Sequence, residues 1–260
     1  MSLNKNSVGC VSVLIPAFNE EATLERVLRG VLEQAVVKEV VVVDDGSTDG
    51  TAAAAERMND ARIRLFRQDR NRGKTAAIER AVREATGEIL IVQDADLEYD
   101  PSEIPLVVAP ILEGHADVVY GSRFLVRRAA RVVYFYHFVA NQFLTTLSNV
   151  FTNLNMTDVE TGYKAFRSEI LKAIPLKSEG FGMEIEITAS IAQVPLRVYE
   201  VPISYYGRTY DEGKKIGFRD GVAAFGYVLY FNLVERWSKE RKQYRAQMEH
   251  FIDRRKRGEL

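Results

Sequence analysis

KEVVVVDDGSTDGT, residues 38–51, joins an unbroken run of valines to a cluster of turn formers. Four consecutive valines leave no polar position, so the run reads as a strand buried on both faces. Asp, Gly and Ser then make a turn, and a helix begins at Asp49-Gly50 or at Thr51. The same succession recurs on both sides of this stretch. VSVLI, residues 11–15, reads as another buried strand. PAFNE follows it, and a helical pattern begins at Asn19, with Leu24, Val27, Leu28, Val31 and Leu32 at helical spacing. RIRLF, residues 62–66, is a third strand, and NRGKTAAIERAVREATG reads as a turn and a helix closed by Gly87. EILIV (residues 88–92) and DVVYGS (residues 117–122) are a fourth and a fifth strand. Between them Asp100-Pro101-Ser102-Glu103 has the cap, the early proline and the following glutamate of a helix start.

Strand-helix alternation predicts an α/β fold: a mostly parallel sheet with helices on both faces. Ligands in such sheets bind beyond the carboxyl ends of the strands. The polar loops PAFNE, DDGSTDG, NRGK, DADLE and GSR each follow a strand, so they converge on one edge. Four carboxylates crowd into residues 94–100: Asp94, Asp96, Glu98 and Asp100. Crowding like charges costs free energy unless a cation arrives. Asp100 is accounted for as the helix cap, and the others form the candidate site. Hard carboxylate oxygens suit Mg²⁺ or Mn²⁺, and no Cys or His stands nearby to suggest zinc. Because an extended strand sends Asp94 and Asp96 to opposite faces, a shared ion requires the chain to turn there. Lys74 and Arg123 are candidate positive partners for a phosphate-bearing ligand. GKT at residues 73–75 is not a P-loop, since Arg67 stands where the earlier glycine is needed, and no GxGxxG follows the first strand.

The chain has 260 residues, of which 47% are hydrophobic, enough for a sizeable core. A net charge of -1 argues against nucleic acid as a partner. The single cysteine, Cys10, allows no internal disulfide and suggests a reducing, cytoplasmic compartment. Residues 132–151 contain no Asp, Glu, Lys or Arg, yet their Asn, Gln, His, Ser and Thr are too many for a lipid core. Residues 222–234 are apolar but too short to span a bilayer. Both segments read as buried or interfacial helices. The charged tail that follows reads as a solvated helix or as a contact with a membrane surface.

The motifs VLIPAFNEE, VVVVDDGSTDGT, RGKTAAIERAV and DADLEYDP, in this order, resemble the family 2 glycosyltransferases of the GT-A, Rossmann-like fold. ADVVYGSRF, DVETGYKAFR and EVPISYYGRTYDEGKKI resemble the branch that includes dolichyl- and polyprenyl-phosphate sugar synthases. The resemblance covers roughly residues 11–220. It implies a catalytic domain over residues 1–215 and a C-terminal extension of amphipathic helices over residues 216–260, packed on that domain or at the membrane surface. It implies inverting transfer from a UDP- or GDP-sugar. Pro16, Ala17, Asn19, Glu20, Asp44 and Asp45 would hold base and ribose, with Gly73 and Lys74 in the nucleotide pocket. Asp94 and Asp96 would hold Mg²⁺ or Mn²⁺ with the diphosphate, and Glu98 is a further candidate ligand. Gly162 and Tyr163 resemble a motif near the sugar; Asp158 opens that motif, and Glu184 is expected near the acceptor.

A hydroxyl acceptor needs a general base. A phosphate monoester, with a second pKa of about 6, does not; it needs cations to position it. Arg123, Arg131, Arg208, Lys214 and Lys215 are candidates for that task. The expected reaction is sugar transfer to a polyprenyl phosphate at the cytoplasmic membrane face. A family 2 transferase with a sugar or small hydroxyl acceptor, and an inactive sugar-nucleotide-binding subunit, are the alternatives.

Overall fold

The computed structural model describes residues 9–125, 131–132, 134–178, 182–208 and 218–259. Strand and helix alternate from the start: β1 (Val11–Ala17), α1 (Leu24–Leu32), β2 (Val37–Asp44), α2 (Thr51–Arg57), β3 (Ile63–Arg67), α3 (Lys74–Glu84), β4 (Ile89–Val92), α4 (Ile104–Leu112) and β5 (Val118–Ser122). After these come α5 (Phe135–Thr152), β6 (Lys164–Arg167), α6 (Ser168–Ala173), α7 (Met183–Ile191), β7 (Val198–Pro202), α8 (Phe218–Leu229) and α9 (Lys239–Lys256). The strands form a seven-stranded sheet in the order β3-β2-β1-β4-β6-β5-β7. All pairings are parallel except those of β6, which runs antiparallel to β4 and β5.

The valine run explains how the layers are held. Val40 and Val42 of β2 join the core on one face, with Leu24, Val27 and Leu28 of α1 and Val107 and Val108 of α4. Val41 and Val43 join the opposite core, with Ala77, Ile78 and Ala81 of α3 and Phe166 of β6. A period of two in a strand covered on both sides requires apolar residues at every position.

Three features of the structure differ from the sequence-based expectation. Helix α1 begins at Leu24, not Asn19, because Asn19 is left-handed (φ 55°) and serves the loop before it. Helix α3 ends at Glu84, so Gly87 does not close it. Gly87 instead lets two strands approach: a Cβ there would lie 2.5 Å from Ser12 Oγ, to which its own N–H donates at 2.8 Å. Strand β6 was not expected; KAFR offers only four residues, with charges at both ends.

The charged C-terminal helix is part of the core. Tyr244, Met248, Phe251 and Ile252 of α9 pack with Leu14, Leu90 and Phe166. A buried ion pair fastens it: Arg241 Nη2 lies 2.6 Å from Glu186 Oε1, with side chains 2% and 0% exposed. Glu186 also accepts from the backbone N–H groups of Lys177 and Ser178. Removing Arg241 would leave a buried carboxylate without its cation, so Arg241→Ala is expected to lower stability by about 3–5 kcal/mol in urea unfolding. A loss below about 1 kcal/mol would show that water screens the pair.

Candidate functional site

The loops after β1 and β2 are laced together. Asp45 N–H donates to the Ala17 carbonyl at 2.8 Å. Asn19 Oδ1 accepts from Thr48 N–H at 2.9 Å, and Asn19 N–H donates to Ser47 Oγ at 3.0 Å. Asp44 accepts from Ser47 N–H at 2.9 Å. Asp45 reaches the next loop, accepting from Gln68 Nε2 and from the N–H groups of Arg72 and Gly73 at 2.8–2.9 Å. Burial holds its carboxyl above the usual range. Pro16, Ala17, Asn19, Glu20, Asp44, Asp45, Gly73 and Lys74 therefore share one edge of the sheet, beyond the strand ends.

The acidic segment after β4 turns as a shared ion requires. Residues 95–99 form turns and bends, Leu97 is left-handed (φ 63°), and Glu98 N–H donates to Asp96 Oδ1 at 3.1 Å. Lys74 Nζ lies 2.9 Å from Asp94 and 3.4 Å from Glu184. Burial opposes its charge, but Asp94 and Glu184 outweigh that and hold the ammonium above its usual range. Arg208 lies 2.7 Å from Asp96 and 3.5 Å from Glu20. Glu98 uses both oxygens on the loop after β7: Oε1 accepts from Arg208 N–H and Oε2 from Tyr205 OH, each at 2.9 Å. Burial, and then the charges of Asp94 and Glu98, push Asp96 up to about 7 despite Arg208.

This donor set fits a divalent ion in part. Asp94 and Asp96 are hard, crowded carboxylates whose mutual repulsion a cation would relieve. Among the described residues no group of three His, Cys, Asp or Glu is gathered as a metal cage; Asp94 and Asp96 face Lys74 and Arg208, and Glu98 accepts from Tyr205 and Arg208. Two carboxylates suffice for Mg²⁺ or Mn²⁺ when diphosphate oxygens and water complete the shell.

Across the cleft, Arg123 donates to Asp158 through Nε at 2.6 Å and Nη2 at 2.7 Å. Asp158 is fully buried. Burial works against Arg123, but Asp158 holds its guanidinium well above the usual range. The guanidinium also lies over the rings of Phe124 and Tyr205, 5.5 and 5.1 Å from their centroids. Arg131 is placed at the same loop, donating to the Gly207 carbonyl at 3.2 Å. Lys214 and Lys215 lie outside the described residues. Gly162 lies close against this pair: a Cβ would be 2.8 Å from Asp94 Oδ2 and 3.3 Å from Lys74 Nζ, so a side chain there would displace them. Sequence reasoning passed over Tyr99, whose hydroxyl accepts from Gly162 N–H at 2.9 Å and whose ring stacks on Tyr163. It also passed over Glu160. Tyr99 carried a signal in its place within the acidic segment, and Glu160 in its place between Asp158 and Gly162.

Beside this cleft the surface is apolar. Val132, Phe135, Tyr136 and Phe143 are exposed at and along α5, as are Leu233, Val234 and Trp237 after α8. Phe143 stacks on Phe225 with ring centroids 6.3 Å apart, joining α5 to α8. Among the described residues no helix is long and apolar enough to cross a membrane.

Residues 12–174 match the family described as glycosyl transferase family 2. The chain is 28% identical over 235 residues to a dolichol-phosphate mannosyltransferase of Pyrococcus furiosus, covering 88% of this chain and 65% of that protein. It is 28% identical over 239 residues to an undecaprenyl-phosphate mannosyltransferase of Micrococcus luteus, covering 87% of this chain and 96% of that one. Its fold is that of glucosyl-3-phosphoglycerate synthase from Mycobacterium tuberculosis, solved with Mn²⁺, UDP and glucosyl-3-phosphoglycerate. The TM-score is 0.64 at 23% identity, over 85% of this chain and 79% of that one.

Proposed function

The chain belongs to glycosyl transferase family 2, and on that premise we propose that it transfers a sugar, with inversion, from a UDP- or GDP-sugar to a polyprenyl phosphate. One observation carries the choice of acceptor. Asp158, which opens the motif expected near the sugar, is held by Arg123, and Glu184, expected near the acceptor, is paired with Lys74, so each of these carboxylates is engaged by a cation. Arg123, Arg131 and Arg208 stand at the same loops. That balance suits a nucleophile that arrives with its own negative charge and needs positioning. The two prenyl-phosphate mannosyltransferases support the same acceptor class.

The laced loops after β1 and β2 would bind base and ribose. When bound at Asp94 and Asp96, Mg²⁺ or Mn²⁺ would stabilise the charge that develops on the departing diphosphate. Lys74 and Arg208 stand at those carboxylates and would face the same oxygens. Arg123, held by Asp158 and the two rings, would orient the acceptor phosphate on the opposite side of the sugar. A phosphate oxygen forms the new bond to the anomeric carbon as the bond to the diphosphate breaks. No proton needs to move, because the acceptor is largely ionised at neutral pH.

The test is transfer from radiolabelled sugar nucleotides to polyprenyl phosphate and to free polyprenol. Product on the phosphate alone is expected; product on the alcohol alone would overturn the acceptor assignment, and nucleotide binding without any product would indicate an inactive subunit. The apolar surface of α5 and residues 233–237 would lie on the bilayer that holds such an acceptor. Trp237→Ala and Phe135→Ala are each expected to weaken vesicle binding roughly tenfold to a hundredfold, since a buried aromatic side chain stabilises by roughly 1.5–3 kcal/mol. Unchanged co-sedimentation with vesicles would remove this surface from the interface.

A further inference from the structure

In the loop between α5 and β6, residues 158–162 hold one buried side-chain oxygen without a hydrogen-bond partner. Asp158 grips Arg123. Val159 N–H donates to Thr145 Oγ1 at 3.3 Å, and its carbonyl accepts from Lys164 Nζ at 3.1 Å. The Thr161 carbonyl accepts from the same ammonium, and Thr161 Oγ1 accepts from Tyr163 N–H at 3.2 Å. Gly162 N–H donates to Tyr99 OH. Glu160 differs: its charge is attracted by Lys164, but its Oε1 is buried and has no hydrogen-bond partner. Buried polar atoms are almost always paired, so an orphan of this kind calls for an explanation.

Its place in the loop supplies one. Two residues before it, Asp158 holds the arginine at the acceptor end of the cleft. Two residues after it, Gly162 abuts Asp94 and Lys74 at the diphosphate end. A sugar being transferred must lie between those two ends. We propose that Glu160 hydrogen-bonds a hydroxyl group of the donor's sugar and so helps to determine which sugar the enzyme accepts. The inference rests on the sugar-nucleotide reading above and adds a residue to it. Burial and then the charge of Glu184 hold the Glu160 carboxyl well above its usual range, outweighing the opposing pull of Lys164. As a carboxylate it can accept from a sugar hydroxyl, and when protonated it can donate to one as well.

Calorimetric titrations with Mn²⁺ present test the assignment, using UDP, GDP and their glucose, galactose, mannose and N-acetylglucosamine derivatives. The wild type is expected to prefer one sugar. Glu160→Ala is expected to lose about tenfold in affinity for that donor, as a site does when a polar partner is removed. Affinity for the same nucleoside diphosphate without its sugar should change by less than about twofold, a difference close to measurement error. Glu160→Gln, whose amide still donates and accepts, should keep most of the preference. An equal loss for the sugar-free nucleotide would reveal a structural role and overturn the proposal, as would an unchanged sugar preference in Glu160→Ala. Intact donor binding by Glu160→Gln with transfer abolished would make Glu160 a base instead. A wild type that binds no sugar nucleotide would remove the underlying reading itself, a result seen before any variant is measured.

Discussion

Asp96→Asn should give a folded protein whose sugar transfer falls by at least about a hundredfold, the scale of losing a main electrostatic stabiliser of a departing charge. The side chain keeps its shape and retains an oxygen to accept from Glu98 N–H. It loses the charge that, with Asp94, would hold a divalent ion against the diphosphate. The fold should not suffer, because the carboxylate is held under strain: burial and the charges of Asp94 and Glu98 raise it to about 7. The direction of the pH effect follows from that shift. A folded-state value above the unfolded one of about 3.9 means that native Asp96 keeps a proton the unfolded chain releases, so stability falls as pH rises between the two values. The Asn variant without metal should therefore melt higher than wild type at pH 8, with the gain vanishing near pH 4. Thermal melts at both pH values, and transfer with and without excess chelator, check these points. Near-normal transfer by the variant, or by wild type in chelator, would remove the ion from the reaction.

Much of this was legible because strand chemistry is local. Four valines followed by turn formers read as a strand covered on both sides, and Asp45, Asp94 and Arg123 each follow such a run at the edge where ligands bind, while Gly73 follows the half-buried edge strand β3. Asp100 was read as a cap from its Pro-Ser-Glu sequel, and its Oδ1 accepts from Ser102 N–H at 2.9 Å. What escaped depends on contacts between distant segments. KAFR becomes β6 only because Ile89, Leu90 and Ile91 offer an edge for Arg167, Phe166 and Ala165 to pair with. Asn19 sits in a helical pattern of apolar residues, yet its side chain is claimed by Thr48 across the cleft, a partner 29 residues away that no periodicity reveals. The family resemblance makes Glu98 a further candidate ligand, and its hydrogen-bond partners could not be read from the sequence. Only the fold brings Tyr205 and Arg208, more than 100 residues later, to occupy both its oxygens. Likewise the tail that reads as a solvated basic helix contains Arg241, whose partner Glu186 lies 55 residues earlier.

The acceptor's charge makes the role of Arg123 the sharpest test of mechanism. Arg123→Ala alone is a poor probe, because it strands Asp158 as a buried carboxylate and costs roughly 3–5 kcal/mol of stability. Arg123→Lys avoids that. It keeps a positive charge beside Asp158 but gives up the paired Nε and Nη2 contacts with Asp158 and the guanidinium that lies over Phe124 and Tyr205. If the rest of that guanidinium holds a phosphate, losing its charge-assisted contact should cost about 1.5–3 kcal/mol in the transition state, or roughly tenfold to over a hundredfold in transfer to polyprenyl phosphate. Release of nucleotide by slow hydrolysis of the donor involves no acceptor phosphate and should change little. Arg208→Ala should reduce both, because its guanidinium lies 2.7 Å from Asp96 at the diphosphate end. The two ratios separate an arginine that positions the acceptor from one that serves the leaving group. An Arg123→Lys enzyme that loses hydrolysis as fully as transfer would place Arg123 with the donor. The acceptor would then fall to the other candidate cations, among them Arg131, which donates to the Gly207 carbonyl at 3.2 Å.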